Sequence, residues 1–106
     1  MVDTKRVLLQ DIKPYAVPSS LDDLHGPAEG VLHLPRNVYW GPTSTVDLSA
    51  QGGISKAYQA VLREGREIDL VMLLNREVLL RSWAGLMLPD RVRELWDTRF
   101  PELAAA

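Results

Sequence analysis

No cysteine occurs in the chain, which excludes disulfide staples, thiolate zinc sites and cysteine nucleophiles together and fits a reducing compartment. No apolar run approaches the roughly eighteen residues that a membrane span requires. Asp3, Lys5, Arg6, Asp11 and Lys13 interrupt the first thirteen residues, so no apolar leader core forms there. These absences predict a cytoplasmic protein that is neither exported nor membrane-embedded. No charge of one sign dominates either. Twelve Lys and Arg face fourteen Asp and Glu, a formal net charge of −2, which gives no global field to draw the chain onto nucleic acid or acidic lipid. Low-complexity tracts and internal repeats at periods of about 20–50 residues are also missing.

What is present is an ordinary globular composition, 46% apolar and 25% charged over 106 residues. A chain of this size buries roughly two-thirds of its extended surface on folding, enough for one core. The sequence therefore predicts a single domain over 1–106, with an irregular or hairpin portion over 1–53 and a helical portion over 54–103. Five of the seven prolines and five of the seven glycines fall in 1–53, too many punctuation points for long helices.

In the first half, Ser20 precedes Leu21-Asp22-Asp23, which reads as one capped turn with its aspartates at the positive end. Val31-Leu32-His33-Leu34 and Val38-Tyr39-Trp40, separated by Pro35-Arg36-Asn37, read as a small hairpin. Arg6-Val7-Leu8-Leu9 fits either a third strand or an extended arm.

In the second half, Ile54, Tyr58, Val61 and Leu62 mark one face of a helix that Gly65 can end in a left-handed conformation. Ile68 to Leu74 is nearly continuous apolar sequence and reads as a buried two-turn helix, with Asn75 capping the next. That next helix carries Val78, Leu79, Trp83 and Leu86, with Leu80, Ala84 and Met87 widening its stripe. Pro89 reads as the first residue of a last helix. Val92, Leu95, Trp96 and Phe100 face its core side, Asp90, Arg93, Glu94 and Asp97 its wet side, and Pro101 ends it. The predicted fold class is α+β, mainly α: four short C-terminal helices with a small N-terminal hairpin or extended segment.

Chemistry-bearing residues are sparse. His25 and His33 with Asp22 and Asp23 match no metal-ligand template, and capping accounts for the aspartates. No Gly-x-Ser-x-Gly elbow accompanies the serines. Gly52-Gly53-Ile54-Ser55-Lys56 lacks the spacing of a phosphate loop and reads as a loosened helix start. No pair of titratable groups is placed as acid and base, so neither an enzyme nor a bound cofactor or metal is predicted. The last two helices with the bend at Pro89 allow a helix-turn-helix reading, with Arg76, Arg81 and Arg91 as a patch, but Asp90 and Glu94 sit where such a helix would meet the groove. Weak or no nucleic-acid binding is expected. Tyr39-Trp40 before Gly41-Pro42 places large rings near a bend, where they either cover the helical core or anchor a partner.

Taken together, Leu24-His25-Gly26-Pro27, Leu34-Pro35, Val38-Tyr39-Trp40, Val46-Asp47-Leu48, the run from Tyr58 to Gly65, Leu74-Asn75, Trp83 and the run from Leu88 to Trp96 resemble small bacterial proteins encoded beside nucleotidyltransferase-type toxins of the abortive-infection class. The resemblance spans most of the chain and contains no catalytic signature. It implies a non-catalytic partner, an antitoxin that covers the toxin's active cleft. On the residues themselves, the expected contact surface is centred on Tyr39 and Trp40, with Leu24 and His25 as neighbours.

Overall fold

The computed structural model describes residues 15–39, 41 and 44–105. Ser20 caps a 3-10 turn, Leu21–Asp23, by accepting the Asp22 N–H on Oγ at 3.1 Å, and Leu21 and Leu24 drop into the core. The chain then docks on the helical half. His25 N–H donates to the Val71 carbonyl and Gly26 N–H to the Leu74 carbonyl, each at 2.7 Å. A Cβ on Gly26 would overlap the backbone of Leu73 and Leu74, so glycine is what permits this approach.

Two antiparallel strands follow, β1 (Val31–His33) and β2 (Thr45–Asp47), with Leu32 opposite Val46. Both of these residues face inward, and their neighbours face out. The expected partner of β1, Val38-Tyr39-Trp40, is not the observed one. The Pro35 carbonyl accepts the N–H groups of both Val38 and Tyr39, at 2.9 and 3.0 Å, which curls this stretch into a turn and directs Val38 into the core. Trp40 and the Arg6–Leu9 segment lie outside the described residues.

Helix α1 (Gly53–Glu64) buries Ala57, Tyr58, Val61 and Leu62. It starts from Gly52 at φ +79°, with Gly53 pressed against the Asp47 carbonyl so closely that no side chain fits. Packing therefore requires Gly53, while the left-handed φ favours glycine at Gly52. At the other end Gly65 is extended (φ −77°, ψ 150°) rather than left-handed. Arg66 is extended as well, and α2 (Glu67–Leu73) begins directly after it.

Leu70 and Leu74 are fully buried, whereas Ile68 and Met72 are 56% and 58% exposed. The continuous apolar run is thus covered on one side only. Asn75 joins three segments: Oδ1 accepts the Val78 N–H (3.1 Å), Nδ2 donates to the Gly26 carbonyl (3.1 Å), and its own N–H donates to Tyr58 Oη (2.9 Å).

Helix α3 (Arg76–Ser82) continues as a 3-10 turn over Trp83–Gly85. Ala84 and Met87, expected to widen the buried stripe, are exposed because the helix has already tightened there. Pro89 occupies the N-cap of α4 (Asp90–Arg99), one position before the expected one. Helix α4 ends at Arg99, ahead of Pro101 as expected, but Pro101 does not end the helical region. It opens a further short helix, α5 (Pro101–Ala105), where its missing N–H costs nothing, and Leu103 of that helix is buried. The mainly helical α+β class holds, and buried side chains from Leu21 to Leu103 form one cluster. Trp83 and Trp96 lie within it as expected, with ring centres 6.1 Å apart, and Phe100 packs at a tilt beyond Trp96 at 5.5 Å.

Tyr58 carries a first prediction. Burial raises its phenol above the ordinary value of 10.0, and the Asn75 N–H and the charge of Arg81 offset this only in part. Because the folded value is the higher one, stability from the neutral phenol is complete below about pH 10 and is lost as pH rises through the folded value. Tyr58→Phe leaves the half-buried Asn75 N–H without its acceptor, an expected cost of about 1 kcal/mol or more. It should also flatten the alkaline limb of a stability-versus-pH profile above pH 10, measured by denaturant unfolding. A variant whose alkaline limb matches the parent's would contradict the assignment.

Candidate protein-binding surface

The residues expected to form a contact surface are dispersed by the fold. Leu24 is turned into the core and contributes packing. His25 is exposed beside the C-terminal end of α2, where its backbone pairs with the helix. Tyr39 is half-buried against the core, with its ring folded over Gly41 and the Lys56 ammonium 5.2 Å from its centre. The Tyr39 ring therefore rests on α1, while His25 rests on α2.

Helix α2 also holds the turn that carries Tyr39. Asp69, buried at its N-terminal end, accepts on Oδ2 from Asn37 Nδ2 (2.9 Å), from the Arg66 N–H (2.8 Å) and from Arg66 Nε (3.2 Å). Asp69 at the third helical position thus satisfies the N–H of the preceding cap residue and ties down a segment 32 residues earlier in the chain. Sequence reasoning missed this carboxylate. The available signal was an aspartate three residues after Arg66 at the head of an apolar run.

Burial alone would raise Asp69, but the hydrogen bonds from Arg66 and Asn37 and the charge of Arg66 outweigh it and hold the carboxyl below its ordinary 3.8. With the folded value depressed, the stability it supplies is present above about pH 4 and is lost as pH falls through the folded value. Asp69→Asn is expected to flatten the acid limb of the unfolding free energy below about pH 4. An acid limb as steep as the parent's would show that Asp69 does not carry the effect.

On its outer face α2 presents Ile68 and Met72 one turn apart. With Val31 and Met87 they are the exposed large hydrophobic residues among those described. Isolated exposed apolar residues are common, but two at i, i+4 on a helix whose opposite side is fully buried form a stripe that can seat a partner.

Other surface features have internal partners. Arg93, expected on the wet side of α4, turns inward. Its guanidinium lies 5.0 Å from the Trp83 ring centre and donates to the carbonyls of Trp83 and Leu86. Asp97 likewise accepts the Trp83 Nε1–H at 2.9 Å. In the basic patch considered for DNA, Arg76 is already 3.3 Å from Asp22 and 3.5 Å from Glu77. At the Gly52-Gly53 helix start a shallow groove of about 210 Å³ includes Lys56, but Asp47 lines it too. His25, His33, Asp22 and Asp23 make no metal-ligand cluster among the described residues. No helix among them is long and apolar enough to cross a membrane.

No protein-family model matches the chain, and no curated protein or solved structure matches it at a significant level.

Proposed function

We propose that this chain is a non-enzymatic protein-binding module of the antitoxin kind, which holds a nucleotidyltransferase-type toxin by covering its active cleft. The observation that carries the binding reading is the exposed Ile68–Met72 pair one turn apart on α2, the helix on which His25 and the turn that leads to Tyr39 are also docked. The toxin as partner rests on the sequence resemblance. Among the described residues, the two groups with shifted proton affinity, Tyr58 and Asp69, are both buried and engaged by the chain's own backbone, which accords with a structural role for them.

The test is binding to the product of a neighbouring nucleotidyltransferase gene, measured by calorimetry on purified proteins. Ile68→Asp and Met72→Asp replace exposed side chains, so the thermal midpoint should stay near the parent's, while complex formation weakens by about 2 kcal/mol or more. Trp40→Ala is expected to weaken the complex similarly. Unchanged affinity in all three variants would remove the proposed surface.

DNA binding by α4 is the rival outcome. Asp90 and Glu94 are exposed beside Arg91 and Arg99, and Arg93 is withdrawn to Trp83, so duplex DNA should bind no tighter than about 10⁻⁶ M near physiological salt. Nanomolar, sequence-selective binding in an anisotropy titration would replace the antitoxin reading with that of a DNA-binding regulator.

A further inference from the structure

The two-stranded sheet has one edge closed and one open. The Leu34 N–H donates to the Ser44 carbonyl and the Leu48 N–H to the Gly30 carbonyl, each at 2.8 Å, with Leu32 opposite Val46 midway between them. In an antiparallel ladder, such bonded pairs alternate with residues whose N–H and C=O point away from the neighbouring strand. The outward residues are therefore Val31 and His33 on β1, and Thr45 and Asp47 on β2. On the β2 side the chain folds back over the edge: the Asp47 carbonyl accepts the Ala50 N–H at 3.1 Å and lies against Gly53 at the start of α1. On the β1 side, Val31 and His33 are exposed, and their outward backbone groups have no hydrogen-bond partner among the described residues. The usual protections of an edge are missing as well, since Val31-Leu32-His33 holds no lysine, proline or bulge.

We infer that this open edge pairs antiparallel with β1 of a second copy of the chain, about a two-fold axis at Leu32, to give a four-stranded sheet shared by two molecules. The edge is self-complementary in that register. Val31 of each copy falls opposite His33 of the other, each such pair exchanges two N–H···O=C bonds, and the outward groups of both copies are all satisfied. Other two-fold registers satisfy fewer. An axis at His33 sets Val31 opposite Pro35, which has no N–H to give, and an axis at Val31 sets His33 opposite Glu29, beyond the bend at Gly30 (φ +93°). The same register places Val31, 58% exposed in the single chain, beside the imidazole of the second copy's His33 on the outer face, and Leu32 beside Leu32 on the core face. Gly30 and the turn at Pro35 confine the contact to three residues per strand, so the dimer is of the weak, concentration-dependent kind. It does not rest on the protein-binding reading of α2, which uses a different surface.

The experiment takes the full-length protein alone from about 10 μM to about 1 mM, with mass read by sedimentation velocity and amide exchange read residue by residue by NMR. The expected result is a mass that rises toward that of a dimer over this range. Exchange at Val31 and His33 should slow at least about twofold, while exchange at Thr45, an outward amide of β2, stays unchanged. His33→Pro removes one outward donor per copy and leaves the Leu32–Val46 bonds in place, and Val31→Lys sets a charge on the edge. Each should raise the dimerisation midpoint at least about tenfold in concentration. A parent that stays monomeric up to about 1 mM overturns the inference. So does a dimer in which Val31 and His33 exchange as they do in the monomer, or one that Val31→Lys leaves unchanged, since either puts the contact on another surface. Protection of these two amides only when a different protein is added also overturns it, and assigns the edge to a strand of that protein. The Ile68→Asp binding measurement tests the partner reading separately, so either can fail alone.

Discussion

Trp83→Ala is expected to lower the unfolding free energy by about 3–5 kcal/mol, the range for deleting a buried tryptophan. Against a total stability of roughly 5–15 kcal/mol for a domain of ordinary size, this brings the protein close to unfolding. The magnitude follows from what the side chain joins. Trp83 is 2% exposed, packs against Trp96, gives its indole N–H to Asp97, and lies beneath the Arg93 guanidinium that also holds the carbonyls of Trp83 and Leu86. Truncation removes the packing and leaves the half-buried Asp97 without its donor. Trp96 differs in one respect, because its Nε1 has no acceptor among the described residues. Trp83→Phe should therefore cost about 1–2 kcal/mol more than Trp96→Phe, since only the first breaks a hydrogen bond to a charged group. Denaturant midpoints of the variants check both statements. A Trp83→Ala midpoint equal to the parent's would remove Trp83 from the core.

The second large effect is expected at Gly26. A methyl group there meets the backbone of Leu73 and Leu74 rather than a side chain that can swing away. To admit it, the segment must withdraw from α2, with loss of the bonds from His25 to Val71, from Gly26 to Leu74 and from Asn75 to Gly26. Gly26→Ala should cost about 3 kcal/mol, the upper end of the overpacking range, or more if Leu24 is also displaced. Gly85 is the control. It has an ordinary φ and open space around its would-be Cβ, so Gly85→Ala should stay within about 0.5 kcal/mol of the parent. Equal midpoints for the two variants would show that the close approach at Gly26 does not matter.

Capping and helical periodicity were legible in the sequence because each is a local signal. Ser20 and Asn75 bond to N–H groups two and three residues ahead, and Tyr58, Val61 and Leu62, or Val92 and Trp96, recur at the spacing of one helix face. The pairing of β1 was not legible. Thr45-Val46-Asp47 has a single apolar residue and no alternation long enough to read, whereas Val38-Tyr39 looked like a strand until Pro35 curled it. Of the candidate site, the sequence marked the exposed His25 and the half-buried Tyr39 and also pointed to Leu24, which the core absorbs. Ile68 and Met72 were hidden within a nearly continuous apolar run, broken only by Asp69, whose pattern does not mark which face is covered.

The sequence by itself therefore determined where the chain caps and where it becomes helical, and that its core includes Trp83 and Trp96, because those outcomes depend on groups within a few residues of one another. Tertiary structure alone decided that Leu32 faces Val46, that Arg93 and Asp97 turn inward to Trp83, that Asn37 reaches Asp69, and that Ile68 and Met72 are left uncovered. Each of these depends on which distant segment arrives against a face already formed.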